Sequence, residues 1–524
     1  MKFKYDKETE KLILTQSTRI EHHQLQLWLT RFVKGYKFSQ PYKMKIWNGK
    51  ESYFENGKVN LGLWKECMLA CKEIDVPFII ENKEDFPINR DVSFEDFNQF
   101  CKDFFKDHKI KKGNDWIPFI PYDYQIQSAF KILRNRYCIT EIATSGGKSL
   151  VISLVFFYIL KNVKPDAKLL IIVPNISLVN QFYDNIIDFN IGENVEYDGG
   201  NKNPLPLKID EIMSERPRKH SKTEDANIYI GTYQSLEKWD KTFFKQFYGV
   251  VVDESHKAKA TTIKKLLKQT FGTAYLRFGV SGTFPNDDSC EILTIQSVLG
   301  PKVTQIEAST LVENGNITPM EITALVLNHN QVQLHKRLKS ARNLSNGGEI
   351  YNIEKKLVQE SQKRIDFIKR LVEKKCNNNT IVLFHTIEYG QKIFETLKEI
   401  DGIDVYYIDG TISAKNRKHI IEEMNKTDRI KILVSSYGTT ATGLSINSIF
   451  NVIFADSFKS ESLIIQAIGR ALRLFKGKDK ATIYDIVDVL DANDMTNTLY
   501  RQFTERERFY KKRKYPYKIL KFNL

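Results

Sequence analysis

The stretch from Tyr137 to Leu160 constrains this chain more than any other. Tyr137–Ile142 reads as a short apolar strand. It runs directly into Ala143-Thr144-Ser145-Gly146-Gly147-Lys148-Ser149, and an apolar run from Leu150 to Leu160 follows as a buried helix. Strand, glycine-bearing loop and helix in immediate succession make the start of a βαβ unit, whose natural home is a parallel sheet covered on both faces. The glycines let backbone N–H groups close around a phosphate at the helix N-terminus, where the dipole favours negative charge. Lys148 would then reach the β- and γ-phosphates of a nucleoside triphosphate, and the Ser149 hydroxyl would hold Mg²⁺. Ile142 stands where the strict G-x-x-x-x-G-K-[ST] pattern has glycine. A chance Gly-Gly-Lys-Ser on a surface loop is the competing reading, and the flanking strand and helix count against it. The apolar run is too short for a bilayer, which needs ~20 residues.

A second strand, Phe247–Val252, ends in Asp253-Glu254-Ser255-His256. The carboxyl end of a strand is where an open α/β sheet binds ligand. Asp253 is assigned to Mg²⁺ and Glu254 to the attacking water, with the Lys148 loop on a neighbouring strand. Acidic residues at a strand end are often merely solvated, so the assignment rests on that pairing. Phosphoryl transfer also needs cations on the developing γ-phosphate charge. Gln466-Ala467-Ile468-Gly469-Arg470-Ala471-Leu472-Arg473 offers two, and Arg470 and Arg473 share a helix face at i, i+3.

With 524 residues the chain exceeds one ordinary core, and roughly three to four domains are expected. Residues 1–112 read as a small α/β domain. Its aromatics (Trp28, Phe32, Tyr36, Phe38, Tyr42, Trp47) interleave with Lys34, Lys37, Lys43, Lys45 and Lys50, and Asn48-Gly49 and Asn56-Gly57 are hairpin-type turn signals. Charge plus stacking suits nucleic acid, although most single rings are expected to be core. Strands and helices alternate over 113–326, giving a first lobe. A polar connection over 327–360 contains Asn343, Ser345, Asn346, Gly347 and Gly348. A second βαβ series over 361–490 gives another lobe, and 491–524 is a basic helical tail with Lys511-Lys512-Arg513-Lys514.

Lys and Arg number 79 against 64 Asp and Glu, a formal charge of +15. That excess favours a polyanionic partner through counterion release, the alternative being a solubilising surface. The six cysteines include no C-x-x-C pair and read as reduced core thiols, which points to the cytoplasm. Lys2, Lys4, Asp6 and Lys7 interrupt any signal-peptide core, and no membrane partner is expected.

The order Tyr124-Gln125, Thr144 to Ser149, Asp253-Glu254-Ser255-His256, Ser281-Gly282-Thr283 and Gln466 to Arg473 resembles the superfamily 2 DExH helicases. Ile172-Val173-Pro174-Asn175 with Gln181, Gly231-Thr232-Tyr233-Gln234-Ser235, Gly410 with Arg417, and Val434-Ser435-Ser436 through Gly443 are similar to further motifs of that family, in the same order. The resemblance implies two tandem RecA-like parallel-sheet lobes, α/β in class, with ATP and Mg²⁺ as cofactors. It implies that Gln125 reads adenine beside Tyr124, that Thr144, Ser145, Gly146, Gly147, Lys148 and Ser149 bind phosphate, and that Gly443 admits the nucleotide. Gln466 joins Lys148, Asp253, Glu254, Arg470 and Arg473 in the catalytic set. His256, Ser281 and Thr283 would couple ATP state to nucleic acid. Pro174, Gln181, Thr232, Gln234, Ser235 and Ser436 would follow the phosphate backbone. Gly443-Leu444-Ser445 departs from the family's frequent Gly-x-Asp.

Within the family, Gly35-Tyr36-Lys37-Phe38, Trp47-Asn48-Gly49-Lys50, Leu61-Gly62-Leu63-Trp64, Ser436-Tyr437-Gly438 and Phe522-Asn523-Leu524 look like the UvsW-type recombination helicases of T4-like phages. That resemblance implies a motor in the host cytoplasm for branched DNA (Holliday-type junctions, stalled forks) and RNA–DNA hybrids, working beside phage replication and recombination proteins. The alternatives are an RNA-directed DExH helicase and an inactive nucleic-acid clamp. The intact Lys148, Asp253, Glu254, Arg470 and Arg473 count against the clamp.

Overall fold

The computed structural model describes the chain except residues 90, 113–114, 192–196, 199–203, 214–224, 260, 330–346, 427–428, 442–445, 459 and 491–496. The chain divides into two compact units, one built from residues up to Ile306 and the other from Glu307–Leu524, with Thr144–Gly146 grouped with the second.

At the start of the first unit, Lys2–Asp6 alternates strictly. Phe3 and Tyr5 are buried and Lys2 and Lys4 exposed, the period of a half-covered strand. It lies in a five-stranded sheet ordered Phe54–Glu55, Lys58–Asn60, Lys11–Gln16, Lys2–Asp6, Ile79–Ile80. Asn56 and Gly57 have φ of 51° and 71°, the left-handed pair a two-residue hairpin requires, and they join Phe54–Glu55 to Lys58–Asn60. Asn48-Gly49 does not close a hairpin of that kind. It leads into Lys50–Ser52, whose antiparallel partner is the distant Thr30–Phe32.

Residues 1–112 do not form a separate domain in the sense the sequence suggested. Glu10, at a turn with φ 49°, is buried and pairs with both terminal nitrogens of Arg277. The Arg277 guanidinium lies 4.3 Å from the Phe271 ring centre and 4.6 Å from that of Tyr137. Tyr53 meets Cys290 and Thr294 through its hydroxyl. The helix Phe94–Phe105 buries Phe97, Phe100, Phe104 and Phe105 in one core with the helix Lys148–Tyr158. Its apolar stripe is covered mainly by the lobe that follows.

That lobe is an all-parallel seven-stranded sheet ordered Ile209–Ile212, Ile228–Thr232, Lys168–Val173, Phe247–Asp253, Leu276–Ser281, Tyr137–Ile142, Lys302–Ile306. The inner strands are almost wholly buried and mostly apolar, as in a sheet covered on both faces.

The second unit holds another all-parallel seven-stranded sheet: Ile403–Ile408, Ile430–Ser436, Thr380–Phe384, Asn451–Phe454, Ala481–Val489, Met320–Asn328, Tyr517–Asn523. Two sequence expectations change here. Met320–Asn328, mostly read into the first lobe, is an inner strand of this sheet. The tail is no appendage either. After the helix Thr498–Lys512, Tyr517–Asn523 adds the edge strand, and Arg506 is buried against Asp485 at 2.9 Å. Of the expected connection, Asn343, Ser345 and Asn346 lie outside the described residues, while Gly347–Glu360 is a helix. Among the described residues no helix is long and apolar enough to cross a membrane.

Candidate active site and nucleic-acid track

The carboxyl ends of the first sheet's strands carry the phosphate loop and the acidic pair. Tyr137–Ile142 ends at Ala143, and Lys148 and Ser149 are the first two residues of the helix Lys148–Tyr158. Ser145 and Gly147 adopt φ of 68° and 76°, so the backbone curls back on itself before the helix begins. Gly147 is the N-cap and provides no side-chain cap. The donors of the first helical turn are thus left to an anion. The φ of Gly147 favours glycine, and a Cβ there would also push aside the end of the Gln125 side chain. The buried Gln125 is itself held: its Oε1 accepts the N–H of Tyr122 at 2.9 Å. The Tyr122 ring stacks on Tyr124 with centres 5.7 Å apart and an interplanar angle of 16°. Tyr122 is 43% exposed and was not singled out from the sequence, although its place three residues before Gln125 is the capping-box spacing.

Asp253 closes the strand Phe247–Asp253 and Glu254 follows at φ 50°. This strand and that of Lys148 are not neighbours, as the sequence had suggested. Leu276–Ser281 lies between them and brings Ser281 to the same edge. Asp253 is buried and its Oδ1 has no hydrogen-bond partner. Burial, then the charge of Glu254, push its carboxyl up against the opposing pull of Lys148. Burial alone would raise Glu254 too, but the His256 hydrogen bond and the charges of Lys148, His256 and Lys257 outweigh it and hold that carboxyl down. His256 Nδ1 lies 3.2 Å from Glu254 Oε2 and 2.9 Å from Ser281 Oγ. Ser281 Oγ donates to the Thr283 carbonyl at 2.8 Å.

A divalent cation fits this arrangement. An orphaned, buried carboxylate oxygen whose ionised form is disfavoured only by desolvation and a like charge is what a bound cation satisfies. Among the described residues no group of three or more His, Cys, Asp or Glu could hold a metal alone. Mg²⁺ takes one or two protein ligands and completes its shell with phosphate and water.

The predicted nucleic-acid residues divide. Pro174 follows the strand Lys168–Val173, Gln181 lies on the helix Ile176–Ile191, and both are half-buried. Gln234 is exposed. Thr232 and Ser235 are buried and engaged with each other: Thr232 Oγ1 accepts the Ser235 N–H at 3.2 Å and bonds its hydroxyl at 2.9 Å. In the second unit, Ser436 ends its strand and caps the next helix, accepting the Thr439 N–H at 3.2 Å. Gly443 lies outside the described residues, as do Leu444 and Ser445. Gln466 and Arg470 belong to the helix Glu461–Ala471, the Arg470 side chain being outside the described residues. Arg473 stands just beyond that helix, its Nη1 donating to Asn447 Oδ1 at 3.0 Å.

Comparison with known proteins gives this geometry a family. Residues 119–286 match the type III restriction enzyme res subunit family and residues 363–475 the helicase conserved C-terminal domain. The chain is 27% identical over 475 residues to the ATP-dependent DNA helicase uvsW of Enterobacteria phage T4, covering 89% of this chain and 86% of the relative. The chain is an ATP-dependent helicase of superfamily 2. Its fold is shared with solved structures of low identity. The ATP-dependent type ISP restriction-modification enzyme LlaBIII bound to DNA aligns over 86% of this chain and 34% of its own, at 15% identity and a TM-score of 0.58. Dbp5 of S. cerevisiae bound to RNA and ADP BeF3 aligns over 77% of this chain and 90% of its own, at 14% identity and a TM-score of 0.51.

Proposed function

We propose that this helicase is a DNA motor that unwinds or branch-migrates branched DNA, including Holliday-type junctions, stalled forks and RNA–DNA hybrids, during phage recombination, repair and replication. The observation that carries the reading is the insert Thr30–Ser52. It holds Arg31, Lys34, Lys37, Lys43, Lys45 and Lys50 against the single acid Glu51. Phe38, Met44 and Ile46 are 82%, 65% and 73% exposed. Lys37, Tyr42, Lys43, Lys45, Ile46, Trp47 and Asn48 line an open pocket of about 750 Å³. Bare apolar side chains among lysines serve a partner with phosphates and stackable bases. The likeness to a DNA helicase over most of both chains supports the same substrate class.

In this reading Lys148 neutralises the β- and γ-phosphates and the first-turn N–H groups receive them. Ser149 and Asp253 would hold Mg²⁺, which would screen the phosphate charge. Glu254, kept ionised by His256 and Lys148, orients and polarises the attacking water. Gln125 reads the base beside the Tyr122–Tyr124 stack. Arg470, on one helix with Gln466, and Arg473, just beyond that helix, supply the remaining cations. His256, Ser281 and Thr283 relay the nucleotide state, and Pro174, Gln181, Gln234 and Ser436 follow the strand. Lys148→Ala tests the assignment: ATP hydrolysis should vanish while melting temperature and nucleotide-free DNA binding persist. Hydrolysis at the normal rate in that variant would refute it.

A further inference from the structure

An α-helix leaves its last four carbonyls without partners, and these are ordinarily met by water or by a left-handed glycine just past the end. Just past the end of Glu461–Ala471, at the cap residue Leu472 and at Arg473, the carbonyls are met by side chain and main chain from other parts of the chain. The Thr318 N–H donates to the Leu472 carbonyl at 2.8 Å, and Thr318 Oγ1 donates to the Arg473 carbonyl at 3.0 Å. A second donor reaches the same oxygen, Lys478 Nζ at 3.0 Å. Thr318 is fully buried and Lys478 is 7% exposed. Lys478 sits one residue after Gly477, whose φ of 73° turns the chain back, and its ammonium lies 5.6 Å from the Phe450 ring centre. The guanidinium end of Arg473 is meanwhile on Asn447.

Arg473 is therefore fixed at its main chain by two donors from elsewhere in the sequence, one of them 155 positions earlier. Burying a lysine next to an arginine is costly, and water would satisfy the carbonyl without it. What the two donors add is a fixed main-chain origin for a long side chain. A misplacement of ~1 Å in a group that meets the reacting phosphate can cost about 100-fold in rate.

We propose that Thr318, assisted by Lys478, is a positioning residue for Arg473, setting the main chain from which its guanidinium meets the transferring phosphate. This rests on the reading above that Arg473 serves phosphoryl transfer.

The test is DNA-stimulated ATP hydrolysis by the full chain carrying Thr318→Val, Thr318→Ser, Lys478→Met, Arg473→Ala, and Thr318→Val with Arg473→Ala. Valine keeps the shape and removes the hydroxyl, whereas serine keeps the hydroxyl. Thr318→Val should lower kcat about tenfold with KM for ATP within about twofold, and Thr318→Ser should restore kcat. In the Arg473→Ala background Thr318→Val should cost nothing more, because its effect runs through the residue already removed. An unchanged kcat in Thr318→Val, or losses that multiply in the double variant, would overturn the proposal. A normal kcat in Arg473→Ala would instead remove the reading beneath it. If Thr318→Val melts below the assay temperature, Lys478→Met enters the same cycle and decides by the same two criteria.

Discussion

His256 Nδ1 lies 2.9 Å from the Ser281 hydroxyl, joining the end of the acidic strand to the end of the strand that separates it from the phosphate loop. Ser281 passes the contact on to the Thr283 carbonyl. Glu254, His256 and the Ser281-Gly282-Thr283 turn are thus joined in one chain of polar contacts.

Replacing Ser281 by alanine removes its hydroxyl from His256, from the Thr283 carbonyl and from a longer 3.5 Å contact with Glu254 Oε2, and leaves Lys148 and Asp253 in place. ATP hydrolysis should persist, and strand displacement per ATP hydrolysed should fall about tenfold, within the usual range of coupling energies. Parallel single-turnover hydrolysis and unwinding assays on one preparation check it. Equal losses in both would mean that Ser281 supports chemistry rather than coupling.

The insert Thr30–Ser52 calls for point substitutions rather than deletion. Glu10, Tyr53 and the helix Phe94–Phe105 are built into the first unit, so removing residues 1–112 would strip its core. Phe38→Ala with Ile46→Ala removes two exposed side chains and should weaken junction binding about fivefold or more, the scale of one missing base stack. Melting temperature should hold. Lys37, Lys43 and Lys45 changed to glutamine should lower the slope of log affinity against log salt by ~0.9 for each phosphate no longer neutralised. Unchanged affinity and slope would end the insert's role.

The second unit contains a buried ion pair that makes a stability prediction. Arg364 donates to both oxygens of Asp488 at 2.7 and 2.8 Å, and His329 Nε2 lies 2.8 Å from Oδ1. Desolvation would raise the Asp488 carboxyl, but Arg364 and His329 outweigh it and hold it well below the usual range. Asp488→Asn leaves a buried guanidinium short of charge and should cost roughly 3–5 kcal/mol. A carboxylate with a depressed folded pKa gives stability that is complete above its unfolded value, 3.8, and is lost as pH falls below it. Wild type should therefore lose stability more steeply than Asp488→Asn below about pH 4. Denaturant melts at several pH values measure both, and parallel curves would contradict the account.

What could be read from the sequence was what is local. Tyr137 to Ser149 carries its strand, loop and helix contiguously, and so does Phe247 to His256. The missed features are those decided by distant partners. Met320–Asn328 follows the first lobe in sequence and is as apolar as its strands, and only pairing with Ala481–Val489 assigns it to the second sheet. The apolar stripe of Phe94–Phe105 does not say which core will cover it. Basic residues after Thr498 read as a helical tail, yet Phe503, Arg506 and Tyr510 on that helix are buried. That Ser281 sits between the two phosphate-site strands is likewise a matter of sheet order, which no local pattern encodes.

The central claim is that ATP turnover here serves branched DNA. The most direct measurement is ATPase rate with no nucleic acid, single-stranded DNA, duplex DNA, a four-way junction and RNA at one salt concentration, with Lys148→Ala as the blank. Little turnover is predicted without nucleic acid, strong stimulation by DNA and the strongest by the junction, all absent in Lys148→Ala. Stimulation by RNA alone, or no turnover on any of them, would contradict it.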